Sequence, residues 1–83
     1  MTRTRMDADT RKSEIVKVGA QIANERGLIN VSYLTIAPYC ANIGARGIRY
    51  HFPNKRVLYE ALVDSALLTE ETVKTARDVG LID

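Results

Sequence analysis

The chain has 83 residues, 46% of them hydrophobic and 27% charged, and a formal net charge of +2. These values are typical of one small soluble globular domain with a limited core. They exclude a membrane-spanning protein, because no apolar stretch reaches the roughly 18 residues that a spanning helix needs. The polar N-terminus excludes a secretion signal. The single cysteine, Cys40, excludes an internal disulfide framework and fits a reducing cytoplasm, where we expect a buried thiol.

The small net charge conceals a strong asymmetry along the chain. Between Arg26 and Tyr59 there are five basic residues and no acidic ones, whereas residues 60–83 contain two basic and six acidic residues. Nucleic acid responds to the local field, since each neutralised phosphate releases condensed counterions. The middle of the chain therefore favours contact with nucleic acid, although five cations in a stretch of this length also occur on ordinary solvated surfaces.

The first predicted elements are an arm and a long helix. Residues 1–9 include Arg3 and Arg5 and predict either a flexible basic arm that reaches DNA or a frayed terminus. A helix is predicted to begin at Asp9 or Thr10 and to end at Gly27, which can adopt the left-handed conformation after a last turn. Its core face is predicted from apolar residues spaced by three and four, namely Ile15, Val18, Gly19, Ile22 and Ala23.

A second helix is predicted from about Tyr33 to Tyr39 or Cys40, with Ser32 as its N-terminal cap. Pro38 should kink this helix, because proline removes a backbone N–H. Thr35 and Tyr39 are either candidate phosphate donors, since hydroxyls near a helix start can point at backbone oxygens, or plain surface. Core contacts are expected from Leu34, Ile36, Ala37 and Cys40.

Asn42 and Gly44, which tolerate positive φ, predict a break before a third helix from about Ala45 to His51. Pro53 ends this helix, because the residue before a proline is pushed out of the α region. Arginine can hold guanine O6 and N7 with two parallel hydrogen bonds in the major groove. Two short helices around a tight turn, the second rich in arginine, are typical of a helix-turn-helix. Ile48 and Phe52 are expected to face inward, and Arg46, Gly47, Arg49, Tyr50 and His51 outward.

Asn54 is predicted to cap a fourth helix, whose N-terminus attracts phosphate and begins with Lys55. This helix is predicted to continue through Leu62, Ala66 and Leu68. Thr69 either continues it or caps a fifth helix that ends at Gly80. The apolar stripe on this last segment either folds back on the domain or pairs with a second copy; it consists of Leu68, Val73, Ala76 and Val79.

The overall prediction is an all-α fold. A three-helix helix-turn-helix domain spans residues 10–62, and one or two further helices follow in residues 63–83. That C-terminal extension is a candidate dimerisation segment.

The sequence resembles the N-terminal DNA-binding domain of TetR-type transcriptional regulators. Residues 15–27, IVKVGAQIANERG, are similar to that family's first helix, roughly I-L-x-A-A-x-x-L-F-x-E-x-G. Ser32, Ile36 and Ala37 stand in register with its helix cap and Ile-Ala pair. Its next block, A-G-V-S-x-G-T-L-x-Y-H-F-x-x-K-x-x-L, is matched at Ala41, Ile43, Ile48, Tyr50, His51, Phe52, Lys55 and Leu58.

The resemblance extends from about Arg11 to Leu62, with three departures. One additional residue separates the Ile-Ala pair from the turn. Pro38 lies in the second helix. Gly44 and Gly47 replace the Ser and the Thr or Ala that usually start the third helix. These departures bear on the docking angle more than on the fold.

The resemblance implies a sequence-specific DNA-binding regulator of transcription, expected to be a repressor that binds double-stranded DNA as a homodimer or a cooperative assembly. It implies DNA contact by Tyr50 and His51 and a phosphate clamp at Lys55. Encoding by a bacterial plasmid or phage would suit a regulator this small, and we expect it in the cytoplasm. The predicted DNA-binding residues are Ser32, Thr35, Tyr39, Ala45, Arg46, Gly47, Arg49, Tyr50, His51 and Lys55.

Other functions were weighed against this one. The sequence contains no Gly-rich phosphate loop, zinc-ligand set or nucleophile–base pair beyond Cys40 and His51, so neither an enzyme nor a cofactor is expected. The large C-terminal domain that holds a ligand in the resembling family has no counterpart, so no small-molecule inducer is expected. An alternative is a non-enzymatic interaction module that binds or antagonises another regulator through its acidic C-terminal residues. A third alternative is a fragment of a longer regulator.

Overall fold

The computed structural model describes residues 8–40 and 42–83, which contain five α-helices and no β-strand. The helices are α1 (Ala8–Arg26), α2 (Tyr33–Ile36), α3 (Gly44–His51), α4 (Lys55–Asp64) and α5 (Glu70–Asp78). Short 3₁₀ helices, Leu28–Asn30 and Ala37–Tyr39, follow α1 and α2. The predicted all-α class is confirmed. Of the predicted N-terminal arm, residues 1–7 lie outside the described part of the chain.

The long helix α1 begins just before the predicted start and ends as predicted. Gly27 has a φ of 97°, and its N–H donates to the Ala23 carbonyl at 2.8 Å. The chain then turns through the first 3₁₀ helix, whose Leu28 is buried, and Val31 seals the end of this loop in the core. The buried face of α1 includes Ile15, Ala20, Ile22 and Ala23.

The second helix is shorter than predicted. Its α-helical part ends at Ile36, and the segment from Ala37 to Tyr39 continues as a 3₁₀ helix. Pro38 explains this change, because it has no N–H to donate to the carbonyl four residues earlier. The prediction that Leu34 supplies a core contact is wrong, since this side chain is 77% exposed while Ile36 is fully buried.

The turn into α3 depends on Gly44, which has a φ of 73°. The N–H groups of Ile43 and Gly44 both donate to the Cys40 carbonyl, at 2.8 and 3.0 Å. Residues other than glycine rarely adopt this left-handed backbone conformation. The predicted break at Gly44 therefore follows from a backbone conformation that glycine permits. Beyond it, Ile48 and Phe52 are buried as predicted.

The fourth helix ends earlier than predicted. Asn54 caps its start, with Oδ1 accepting from the Val57 N–H at 2.9 Å. At the other end the helix stops at Asp64, and Ala66 takes a φ of 63° instead of continuing it. Leu62, the last residue of the predicted helix-turn-helix domain, therefore lies inside α4.

The fifth helix folds back on the domain, which is one of the two outcomes left open for the C-terminal stripe. Thr69 caps it by accepting from the Thr72 N–H at 3.2 Å. Ala76 is buried and Leu68 packs against the core, whereas Val79 stays 63% exposed. The side chain of Asn24 on α1 ties the preceding connection down, donating to the Leu67 carbonyl at 3.0 Å and accepting from the Thr69 N–H at 2.9 Å.

One hydrophobic core joins these elements. Helix α1 contacts α2, α3 and α4, the two short helices α2 and α3 contact each other, and α5 lies against the first 3₁₀ helix. Gly19 permits the close approach of α1 and α4, since a Cβ there would lie 3.1 Å from Leu62 Cδ2. The core thus supports α2 and α3 from beneath and leaves their outer faces in solvent.

Candidate nucleic-acid interface

The first turn of α2 and the outer face of α3 form a groove of about 420 Å³. Arg46 and Arg49 are exposed and lie on its α3 side. Its lining combines cationic, apolar and hydroxyl-bearing side chains, which are Ser32, Tyr33, Leu34, Ala45, Arg46 and Arg49. Four of the ten predicted DNA-binding residues are therefore brought together here, namely Ser32, Ala45, Arg46 and Arg49.

The start of α2 is held by a capping box. Ser32 Oγ accepts from the Thr35 N–H at 3.1 Å, and Thr35 Oγ1 accepts from the Ser32 N–H at 2.8 Å. Such reciprocal bonds satisfy two backbone donors that have no partner within the helix. Thr35 Oγ1 also donates to the Ser32 carbonyl at 3.0 Å, so its hydroxyl hydrogen is already used within the first turn. The two hydroxyls thus fix the local backbone, and phosphate contact by either stays a prediction.

The outer face of α3 is cationic and aromatic. Tyr50 is 82% exposed and its ring lies edge-on to that of His51, with 5.3 Å between centroids. His51 and Gly47 are half-buried, so the prediction that both face fully outward is wrong. Because Ile48 anchors the opposite face in the core, Arg46, Arg49 and Tyr50 are left on the solvent side.

Tyr33 was not identified from the sequence as a site residue, yet it joins the two helices. Its hydroxyl donates to the Phe52 carbonyl at the C-terminal end of α3, at 2.7 Å. The Arg49 guanidinium carbon lies over its ring, 5.2 Å from the centroid, which is within the range of a cation–π contact. No local pattern signals this arrangement, because it requires residues of different helices to meet.

Gly47 does not leave an open path to the α3 backbone on its Cβ side. A Cβ built there would lie 2.7 Å from Cγ2 of Ile43, one turn earlier, so the Ile43 side chain occupies that space. A ligand that approaches the α3 backbone closely at Gly47 therefore has to come from another direction.

Lys55 lies exposed in the first turn of α4. Unpaired N–H groups and the helix dipole make such a position attractive to phosphate. The neighbouring Arg56 is engaged elsewhere, with contacts of 3.5 Å to Glu60 and 3.7 Å to Asp83. Both are exposed pairs, and we attribute little stability to them.

Tyr39 lies apart from the groove. It is exposed, belongs to the second 3₁₀ helix and lines a separate depression against α1 with Val18, Gln21, Ile22, Glu25 and Arg26. The two depressions share no lining residue. A DNA contact by Tyr39 would thus extend beyond the groove and stays a prediction.

The titratable groups of the core have no role in this groove. The Cys40 thiol is buried as predicted. Burial raises its pKa, and the negative charge of Glu14 raises it further. Burial also raises the pKa of Tyr59, whose buried position in α4 was not predicted. Within the described ranges, no three or more His, Cys, Asp or Glu side chains are grouped so as to hold a metal ion.

A search of the described helices finds none with the length and apolarity to cross a membrane. Comparison of the chain with protein-family models, curated proteins and solved structures gives no match.

Proposed function

We propose that the protein is a sequence-specific DNA-binding regulator of transcription, in which α2 and α3 act as a helix-turn-helix. The carrying observation is the cationic outer face of α3, where Arg46, Arg49 and Tyr50 are exposed on a helix that Ile48 anchors in the core. With its side chains, an α-helix such as α3 is about 10–12 Å in diameter. A B-DNA major groove about 12 Å wide admits such an element.

The charge distribution supports contact between the outer face of α3 and DNA. The chain has no acidic residue between Arg26 and Tyr59, so neither α2 nor α3 contains a carboxylate that would repel phosphate. Lys55 and the N-terminus of α4 follow directly after α3 and provide a phosphate contact that fixes the position of the duplex. In this proposal the arginines supply base contacts or further phosphate contacts.

Leu34 supports the proposal from the other side of the groove. An exposed leucine beside two arginines gains nothing from the core, but apolar side chains contact the thymine methyl group in the major groove. Leu34 thus gives the interface an apolar contact that complements Arg46 and Arg49.

One short recognition helix binds weakly, so the proposed regulator acts as a homodimer or a cooperative assembly on two half-sites about one helical turn apart. The resemblance to TetR-type regulators supports the same assignment, with repression as the proposed outcome. Such a protein acts where bacterial DNA lies, in the cytoplasm. The exposed Ile29 and Val79 line one groove between the first 3₁₀ helix and α5, and this groove is the proposed contact between copies.

The proposal is tested by binding to a random-sequence duplex pool at several salt concentrations. The variant Arg49→Ala with Lys55→Ala should bind more weakly, and its log–log salt slope should fall by about 0.9 if Arg49 contacts a base and about 1.8 if it contacts a phosphate, because each lost phosphate contact removes roughly 0.9. The matched control is Lys17→Ala with Lys74→Ala, which removes the same charge from exposed positions on α1 and α5. Its salt slope should stay close to that of the wild type.

Equal losses in the two double variants would refute a specific interface on α3. Absence of binding to DNA at low salt would favour the second candidate, an interaction module. That candidate is favoured by the exposed Glu70, Glu71 and Asp78 on α5, beside the exposed Ile29 and Val79.

A further inference from the structure

We infer that Tyr33 is a positioning residue that holds the Arg49 guanidinium ready for DNA, an inference that rests on the proposed function. Tyr33 lines the groove between α2 and α3 but carries no charge that would contact a phosphate. Its hydroxyl and its ring have separate partners, the Phe52 carbonyl and the Arg49 guanidinium. These two contacts make it a bridge between the start of α2 and both the face and the end of α3.

The ring leaves the hydrogen-bonding capacity of Arg49 intact. A guanidinium is planar, and its five N–H donors lie in that plane. A ring that takes the face of the group therefore leaves the edge free for the two acceptors of a guanine or a phosphate. The 5.2 Å separation between Arg49 Cζ and the Tyr33 centroid is within the range of a cation–π contact, and this division of the group is part of the inference.

The hydroxyl fixes the ring. Tyr33 directly follows the cap residue Ser32, whose capping box with Thr35 sets the backbone of this first turn. At the other end of the side chain, the 2.7 Å bond to the Phe52 carbonyl prevents the ring from swinging away. Arg49 is thus held by a side chain that is itself held at both ends.

Immobilising a long side chain before binding reduces the entropy lost on binding. Loss of the ring should therefore weaken DNA binding while the Arg49 charge still reaches the phosphates. This outcome differs from the loss of Arg49 itself, which weakens binding and, where Arg49 contacts a phosphate, also lowers the salt slope by about 0.9.

The experiment measures binding to the random-sequence duplex pool for Tyr33→Leu, Tyr33→Phe, Arg49→Ala and the double variant Tyr33→Leu with Arg49→Ala. We expect Tyr33→Leu to bind about two- to tenfold more weakly, the cost of ordering one long side chain on binding, with an unchanged salt slope. Tyr33→Phe keeps the ring but loses the bond to the Phe52 carbonyl that fixes it, so its affinity should lie between those of the wild type and Tyr33→Leu. In the Arg49→Ala background, Tyr33→Leu should have no further effect.

A readout without DNA keeps the two proposals distinguishable. The side-chain protons of Arg49 should show an upfield ring-current shift by NMR in the free wild type, a smaller one in Tyr33→Phe and none in Tyr33→Leu. If Tyr33→Leu does not fold, Tyr33→Met replaces it, since methionine fills irregular apolar space and has no aromatic ring. Tyr33→Met should then bind about two- to tenfold more weakly at an unchanged salt slope.

Additive effects of Tyr33→Leu and Arg49→Ala, absence of the ring-current shift, or wild-type affinity of a folded variant that lacks the ring would overturn the assignment of Tyr33 alone. Failure of the wild-type chain to bind DNA, with the ring-current shift present, would refute the proposed function and leave the contact as a structural link between α2 and α3.

Discussion

Replacing Asn24 with alanine should release the C-terminal helix from α1. The Asn24 amide forms two hydrogen bonds with the connection between α4 and α5, at 3.0 Å to the Leu67 carbonyl and 2.9 Å from the Thr69 N–H. Net contributions of about 0.5–1.5 kcal/mol per bond give a total of about 1–3 kcal/mol. Because the amide is exposed and water competes for it, we take about 1–2 kcal/mol.

Alanine offsets part of this loss, since it is favoured over asparagine in a helix interior by roughly 0.5 kcal/mol. The expected net loss for Asn24→Ala is therefore about 0.5–1.5 kcal/mol in the free energy of unfolding. In a domain of this size, each kcal/mol of lost stability lowers the Tm by about 4–8 °C.

Urea denaturation followed by circular dichroism measures the change, and amide hydrogen exchange at Thr69 reports the local release. The matched control is Gln21→Ala, another exposed amide on α1, whose side chain makes a long 3.5 Å contact to Glu25. An Asn24→Ala variant no less stable than Gln21→Ala, with unchanged exchange at Thr69, would refute the reasoning.

Three further predictions address the turn, the core and the third helix. Ala66→Gly should raise the free energy of unfolding by about 0.5–1 kcal/mol in thermal melts, because Ala66 is exposed and has a φ of 63°. Gly47→Ala should lack the usual gain of about 1 kcal/mol, since its Cβ meets Ile43, and should recover that gain in an Ile43→Ala background. Because the pKa of Cys40 is raised above its ordinary 9.0, the folded state keeps a proton that the unfolded chain releases. The part of the stability that this proton contributes is therefore present below pH 9 and lost as pH rises through the folded pKa. In urea titrations, Cys40→Ala should lose less stability between pH 9 and 10 than the wild type.

The predictions that succeeded depended on short-range signals. Asn54 caps α4 as predicted, and Thr69 caps α5, one of the two outcomes left open for it. Each forms a bond to an N–H group three residues away, so each signal is complete within one turn of sequence. Gly27 and Gly44 similarly mark places where φ is positive. Local chemistry of this kind can be read without knowledge of the tertiary structure.

The wrong prediction for Leu34 came from an error in interpretation, because the helical spacing in the sequence contained the necessary signal. Successive helical residues are separated by about 100°, so residues two apart lie on nearly opposite faces. Leu34 and Ile36 therefore could not both face the core, and the structure buries Ile36. The spacing alone was sufficient to predict that one of the two would be exposed.

The end of α4 and the role of Tyr33 were not predictable from local pattern. Alanine has no preference for positive φ, so Ala66 gives no sign of ending a helix, and Asn24 holds the following connection from 43 and 45 residues away. Tyr33 meets Phe52 across 19 residues. Both features exist only once separate helices have packed together.

The position of α5 decides whether the cationic groove is accessible. Acidic residues are concentrated after Tyr59, and a C-terminal segment lying over α3 would neutralise the arginines. Instead, Asn24 holds the start of this segment on α1, and α5 packs against the first 3₁₀ helix. Within residues 8–40 and 42–83, the side-chain ion pairs both involve Arg56, and neither Arg46, Arg49 nor Lys55 is paired with a carboxylate. The two hydrogen bonds of Asn24 thus keep the start of α5 away from α3, while the last residue, Asp83, reaches Arg56 beside Lys55.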